Sequence, residues 1–133
     1  MFHFRFLKTI VVLLLVIAGV HHLALSNALY VLIPNLDTII HAAAGFVVGL
    51  TAISFAEKMY DINTVNHQKV NHPDVKIFIC VLLAAIIIGV AWEVFEKFIG
   101  FTSYLDIEDT VIDLIADVAG AMAAFGVYRF INW

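Results

Sequence analysis

The sequence has few of the residues on which soluble and secreted domains depend. Charged residues occupy 14% of its 133 positions, against about 25% in ordinary soluble domains. A single cysteine, Cys80, excludes both a disulfide framework and a cysteine metal cluster. Two prolines, seven glycines and the lack of a low-complexity tract exclude fibrous and disordered classes. Basic residues number seven against eleven acids, which argues against a nucleic-acid partner.

Hydrophobic residues are abundant instead: they make up 63% of the chain and are gathered in long runs. Hydrocarbon offers no water to backbone groups, so we interpret runs of this length as membrane-spanning helices. The apolar runs are Thr9–Leu25, Thr38–Ala56, Ile77–Trp92 and Val111–Ile131. With the flanking polar residues that the last two need, the predicted helices cover about 9–25, 38–56, 77–98 and 107–131. The sequence therefore predicts an all-α polytopic membrane protein, a single four-helix transmembrane domain over residues 1–133.

The basic residues set the predicted orientation, because lysine and arginine favour the cytoplasmic side. Six of the seven lie on one side of the four-span arrangement: Arg5, Lys8, Lys58, Lys69, Lys76 and Arg129. We therefore expect a multi-pass protein of the plasma or inner membrane with both termini cytoplasmic. The first span also resembles a signal peptide cleaved after Ala24-Leu25-Ser26, but we expect it to be retained as a signal anchor.

The acids are distributed in the opposite way. Three lie on the predicted inner side and eight lie outside or in the outer half of the membrane, so the two sides carry net charges of +3 and −7. Asp109, Asp113 and Asp117 recur every fourth residue and form one stripe along the fourth helix. The pairs Glu93/Glu96 and Asp37/His41 each share a helix face in the same way. Because an ionised acid is costly in lipid, we expect these faces to meet inside the bundle.

Crowded carboxylates need protons or a metal to neutralise them. Oxygen ligands with one imidazole suit Mg²⁺, Mn²⁺, Zn²⁺ or Fe²⁺, and paired ions of this kind hydrolyse phosphate esters. The predicted metal ligands are Asp37, His41, Glu93, Asp109, Asp113 and Asp117. For metal-assisted chemistry on a lipid phosphate or glycolipid, Glu96 is the predicted general base and Lys97 the phosphate contact.

Two other interpretations stay open. Glu108 and Asp109 could serve only as helix-capping acids, and Asp113 and Asp117 could be protonated members of a hydrogen-bonded core that specifies packing. The protein would then be a non-catalytic binding or assembly protein for an antibiotic, a lipid or a membrane subunit, including a second copy of itself. Gly45-x-x-x-Gly49 is more simply a packing seam.

The pattern as a whole resembles the VanZ-like family and the related YjdF-like bacterial inner-membrane proteins. The matching motifs are Asp37-x-x-x-His41-x-x-x-Gly45, Glu93-x-x-Glu96 and Asp109-Thr110-x-x-Asp113-x-x-x-Asp117-x-x-Gly120-Ala121. VanZ-like proteins usually have Gln at the position of Glu96 and Asn at that of Asp117, and Asp109-Thr110 is closer to the YjdF-like group. The resemblance implies a role in the cell envelope, where the VanZ-like family is associated with glycopeptide resistance, and it implies no catalytic residue.

Overall fold

The protein is an all-helical membrane bundle. The computed structural model describes residues 3–27, 29–65, 73–99 and 107–131, and no strand occurs among them. The helices are α1 (His3–Ser26), α2 (Leu29–Leu32), α3 (Leu36–Val65), α4 (Pro73–Ile99) and α5 (Ile107–Ile131). The predicted fold class is therefore confirmed, whereas the single turn of α2 was not predicted.

Three helices contain segments long and apolar enough to cross a membrane: Leu36–Met59, Asp74–Phe98 and Ile107–Ile131. The apolar segment of α1, Lys8–Ala24, is shorter. At 1.5 Å per residue it extends about 25 Å, slightly less than the hydrocarbon thickness of about 30 Å. α1 is therefore the marginal span of the four that the sequence predicts.

The centre of the bundle is α3, which contacts each of the other helices and packs most extensively on α5. Glycines allow this close contact. A Cβ atom built on Gly45 would lie 2.0 Å from the carbonyl oxygen of Asp117, and one on Gly120 would lie 1.9 Å from that of Ala42. At Gly49, a Cβ would meet Ala121 and Ala124 at 2.9 Å. Gly45 and Gly49 thus do form a packing seam, and this seam fixes the register of α3 against α5.

Apolar side chains close one half of the bundle. The buried hydrophobic residues there are Ile10, Val47, Leu50, Ile53, Ala56, Ile77, Val81, Ala85, Ala121 and Ala124. Large hydrophobic side chains such as Ile87, Val94 and Phe130 are exposed on the outer surface, as expected where lipid replaces water. At the end of this half, Arg129 of α5 donates to the carboxylate of Asp74 on α4. The buried polar side chains lie in the other half.

Candidate functional site

The buried polar groups are arranged in successive turns from one end of the bundle. α3 and α5 begin at this end and α4 ends there, so Asp37, Glu96 and Asp109 belong to the outermost turn. His41, Glu93 and Asp113 lie three to four residues deeper, and Asp117 lies one turn deeper again. One helical turn advances about 5.4 Å. Three helices therefore bring polar side chains to matching depths, as the sequence predicted.

His41 is the centre of this cluster. Its Nε2 atom lies 4.0 Å from Oδ1 of Asp37, 3.9 Å from Oε1 of Glu93 and 4.0 Å from Oδ2 of Asp113. These separations are too long for hydrogen bonds. One imidazole nitrogen thus faces carboxylate oxygens from three different helices without being bonded to any of them.

The other nitrogen of His41 has a partner. Nδ1 lies 3.3 Å from Oδ2 of Asp117, and both side chains are buried. An imidazole whose Nδ1–H donates to a carboxylate presents its Nε2 lone pair on the opposite side of the ring, an arrangement common around protein metal ions. Asp117 therefore orients the ring and directs Nε2 towards Asp37, Glu93 and Asp113.

Two carboxylate oxygens of the cluster are unsatisfied. Oε1 of Glu93 and Oδ1 of Asp113 are buried and have no hydrogen-bond partner among the described residues. Their side chains are at most 6% exposed. A buried acceptor left without a partner costs about 1–3 kcal/mol, and more if it is charged. Each oxygen therefore needs a hydrogen-bond donor, a proton or a cation that the described residues do not supply.

Glu96 and Lys97 occupy the outer turn of α4. Nε1 of Trp92 donates to Oε1 of Glu96 at 2.8 Å, and Nζ of Lys97 donates to Oγ1 of Thr110 on α5 at 2.9 Å. The bond to Thr110 holds the lysine side chain beside the start of α5. Trp92 was missed by the sequence analysis, although its i, i+4 spacing from Glu96 is a recognisable signal.

Aromatic side chains from α1 and α2 lie next to the outer turn. Burial, with the nearby carboxylates of Asp37 and Glu96, raises the pKa of Tyr30 to about 12, so its phenol is protonated at neutral pH. The phenol oxygen forms a hydrogen bond of 2.6 Å with Nδ1 of His21. The His21 ring in turn makes an edge contact with Trp92, with 5.7 Å between ring centroids. This contact connects the marginal span to α4 beside Glu96.

Five of the residues that the sequence selected converge with geometry suited to a metal ion. The side chains of Asp37, His41 and Asp113 form one group and those of His41, Glu93 and Glu96 a second, with ligand atoms within 4.8 Å of one another in each group. Around a tetrahedral ion with bonds of about 2.1 Å, donor atoms lie about 3.4 Å apart. The separations of 3.9–4.0 Å at His41 exceed this spacing by about half an ångström, and the other ligand atoms of each group lie within 4.8 Å of one another.

The remaining predicted site residues lie at the edges of this cluster. Asp117 faces the opposite nitrogen of His41, and Asp109 is half-buried in the outer turn of α5. Glu108 is exposed. Asp106 falls outside the described residues. Asp37 is the most accessible member of the convergent set, with 33% of its side chain exposed. The opening of the cluster is therefore on the side of Asp37.

These features define a class, the multi-pass helical membrane proteins with a His/carboxylate cluster buried within the bundle. The chain belongs to the family described as "Predicted membrane protein (DUF2238)", whose family model matches residues 1–132. No curated protein and no solved structure matches the chain. The family match supports a membrane protein and does not by itself extend to the VanZ-like or YjdF-like proteins.

Proposed function

We propose that the protein binds divalent metal at the His41 cluster, in the outer half of a bacterial cell membrane. One observation carries this proposal: the buried carboxylates of Glu93 and Asp113 face Nε2 of His41 through Oε1 and Oδ2, and Oε1 of Glu93 and Oδ1 of Asp113 have no hydrogen-bond partner among the described residues. An imidazole lone pair and the carboxylates that it faces repel one another unless positive charge lies between them. Mg²⁺, Mn²⁺, Zn²⁺ or Fe²⁺ supplies that charge and accepts both donor types.

The chemistry of the surrounding groups favours a bound cation. Glu93, Glu96 and Asp113 are each at most 6% exposed, and Asp117 lies beside them. Close to the cluster, His21, His41 and Lys97 are the basic side chains among the described residues; His21 is paired with Tyr30, and Lys97 bonds to Thr110. Burying carboxylates without a counter-charge costs several kcal/mol per ion. A divalent ion offsets this cost for two carboxylates at once.

The orientation and the membrane are part of the same proposal. Six of the seven basic residues fall on the side that we assign to the cytoplasm, which leaves the cluster near the external surface. The resemblance of the three polar motifs to VanZ-like and YjdF-like proteins favours a cell-envelope role. Asp37, a third exposed, provides the access route from that side.

The enzymatic form of the proposal is metal-assisted hydrolysis or transfer on a lipid phosphate or glycolipid. A cation at this depth would lie close to the level of lipid headgroups, where it can polarise a phosphoryl oxygen. Glu96 lies beside His41 and is the general-base candidate. Lys97, held against Thr110 at the same end, is the phosphate contact.

A second candidate function is non-catalytic recognition of a lipid, an antibiotic or a membrane subunit by a protonated carboxylate core. The hydrogen bonds from Trp92 to Glu96 and between His41 and Asp117 favour it, because they satisfy part of the cluster without an ion. In this form protons replace the cation on Glu93 and Asp113, and the hydrogen-bonded cluster recognises the ligand or subunit while it holds the three helices together.

Elemental analysis of the purified protein separates the two candidates. We expect bound metal above the buffer level in the unaltered protein and in Glu108→Gln, which removes an exposed carboxylate at the same end. Asp113→Asn and Glu93→Gln should each lose at least about tenfold in metal affinity. Absence of bound metal, with the variants losing only stability, would overturn the metal site and favour the protonated core.

A further inference from the structure

The cluster contains two overlapping groups of potential ligands rather than one. Asp37 of α3 and Asp113 of α5 join His41 in the first group, whereas Glu93 and Glu96 of α4 join it in the second. Each group has its own buried oxygen without a hydrogen-bond partner in the described part of the chain: Oδ1 of Asp113 in the first and Oε1 of Glu93 in the second. The need for positive charge is therefore present in both groups.

The charge of the two groups also indicates that more than one cation is needed. Together they contain four carboxylates, of which three belong to buried residues. One divalent ion would neutralise two of them and leave two negative charges inside the bundle. Two divalent ions balance all four, and Asp117 remains as the hydrogen-bond partner of the His41 ring.

We infer that the cluster holds a pair of divalent cations, one on the Asp37/Asp113 side and one on the Glu93/Glu96 side. In this two-ion arrangement Glu96 is a ligand and no longer the general base. Nε2 of His41 can bind only one of them, so the other is held by carboxylates, at least one of which bridges the pair. Carboxylate-bridged ions lie about 3.5–4 Å apart in proteins and clamp phosphoryl oxygens between them. This inference rests on the proposed function and adds the number of bound ions. Because paired ions of this kind bind phosphoryl oxygens, it also indicates a phosphate-bearing ligand.

Manganese provides the test, because one ion and a coupled pair differ in both stoichiometry and electron paramagnetic resonance. The full-length protein in detergent micelles is loaded with Mn²⁺, separated from free ion by gel filtration and analysed for manganese per chain. We expect two ions per chain and the broadened spectrum of a spin-coupled pair. One ion per chain with the six-line spectrum of isolated Mn²⁺ would overturn the pair and leave the proposed function intact. Absence of bound manganese, zinc, iron and magnesium would overturn both.

Asp37→Asn tests which side chains hold the ions. Asp37 is the most exposed ligand, and asparagine has the same shape, so this variant keeps the packing of the buried residues. We expect its manganese content to fall from two ions towards one, while Glu108→Gln keeps both. Two ions bound by a monodisperse Asp37→Asn protein would overturn the assignment of the first group.

Discussion

Nδ1 of His41 lies 3.3 Å from Oδ2 of Asp117, although the two residues are 76 positions apart in the chain. The contact exists because α3 and α5 pack almost backbone to backbone at Gly45 and Gly120. Gly89 of α4 leaves the remaining space for the carboxylate, since a Cβ there would lie 2.6 Å from Oδ2 of Asp117. The orientation of the His41 ring is thus set by a glycine on each of three helices.

Substitution of Asp117 should weaken cation binding without removing a ligand. In Asp117→Asn the amide oxygen still accepts from Nδ1 of His41, so we expect a loss near tenfold. In Asp117→Ala the ring loses its partner, and we expect a loss approaching 100-fold. Isothermal titration of the metal-depleted protein with Zn²⁺ measures both. Equal affinities for the unaltered protein and Asp117→Ala would contradict the orienting role.

The seam between α3 and α5 predicts a contrast between two glycines on the same helix. A Cβ at Gly120 would lie 1.9 Å from a backbone oxygen, whereas a Cβ at Gly126 would meet nothing within 4 Å. Gly120→Ala should therefore force the helices apart and lower the unfolding free energy by about 1–3 kcal/mol or more. Gly126→Ala should be neutral or stabilising by up to about 1 kcal/mol, because alanine favours helix. Denaturant unfolding followed by circular dichroism distinguishes them, and equal destabilisation by both would rule out the seam.

Trp92 should report cation binding through its hydrogen bond to Glu96. The chain has two tryptophans, so Trp133→Phe leaves Trp92 as the single indole emitter. Binding of Zn²⁺ near Glu96 withdraws electron density from the carboxylate that accepts from Nε1, and we expect a saturable change in emission. The change should disappear in Glu96→Gln and persist in Glu108→Gln. Ion bound by elemental analysis with unaltered Trp92 emission would exclude Glu96 from the ligand set.

The length and composition of the apolar runs predicted the helical fold, but they did not predict where α3 ends or that α2 forms. α3 continues to Val65, nine residues past the end of its apolar run at Ala56, because hydropathy marks where lipid ends and not where hydrogen bonding ends. α2 is one turn of apolar residues without periodicity. Asn35, with a φ of 59°, forms the turn that separates it from α3.

The site was predictable to the level of a helix face. Spacing placed Asp109, Asp113 and Asp117 on one stripe, and the structure does bring that stripe towards α3. Spacing could not assign the three residues different roles, because their roles depend on the depth at which α5 packs on α3. Asp113 faces Nε2 of His41 and Asp117 faces Nδ1, a distinction that arises from close contact at glycines and not from residue type.

The orientation is open to a direct test, because the two polar connections should lie on opposite sides of the membrane. In a Cys80→Ala background, a single cysteine replaces Asn66 or Ser103, both outside the described residues. The basic residues around the first connection place it in the cytoplasm. A membrane-impermeant maleimide applied to intact cells should therefore label Ser103→Cys and leave Asn66→Cys unreacted until the membrane is permeabilised. The reverse pattern would put the His41 cluster in the cytoplasmic half, where external lipids and ions could not reach it through Asp37.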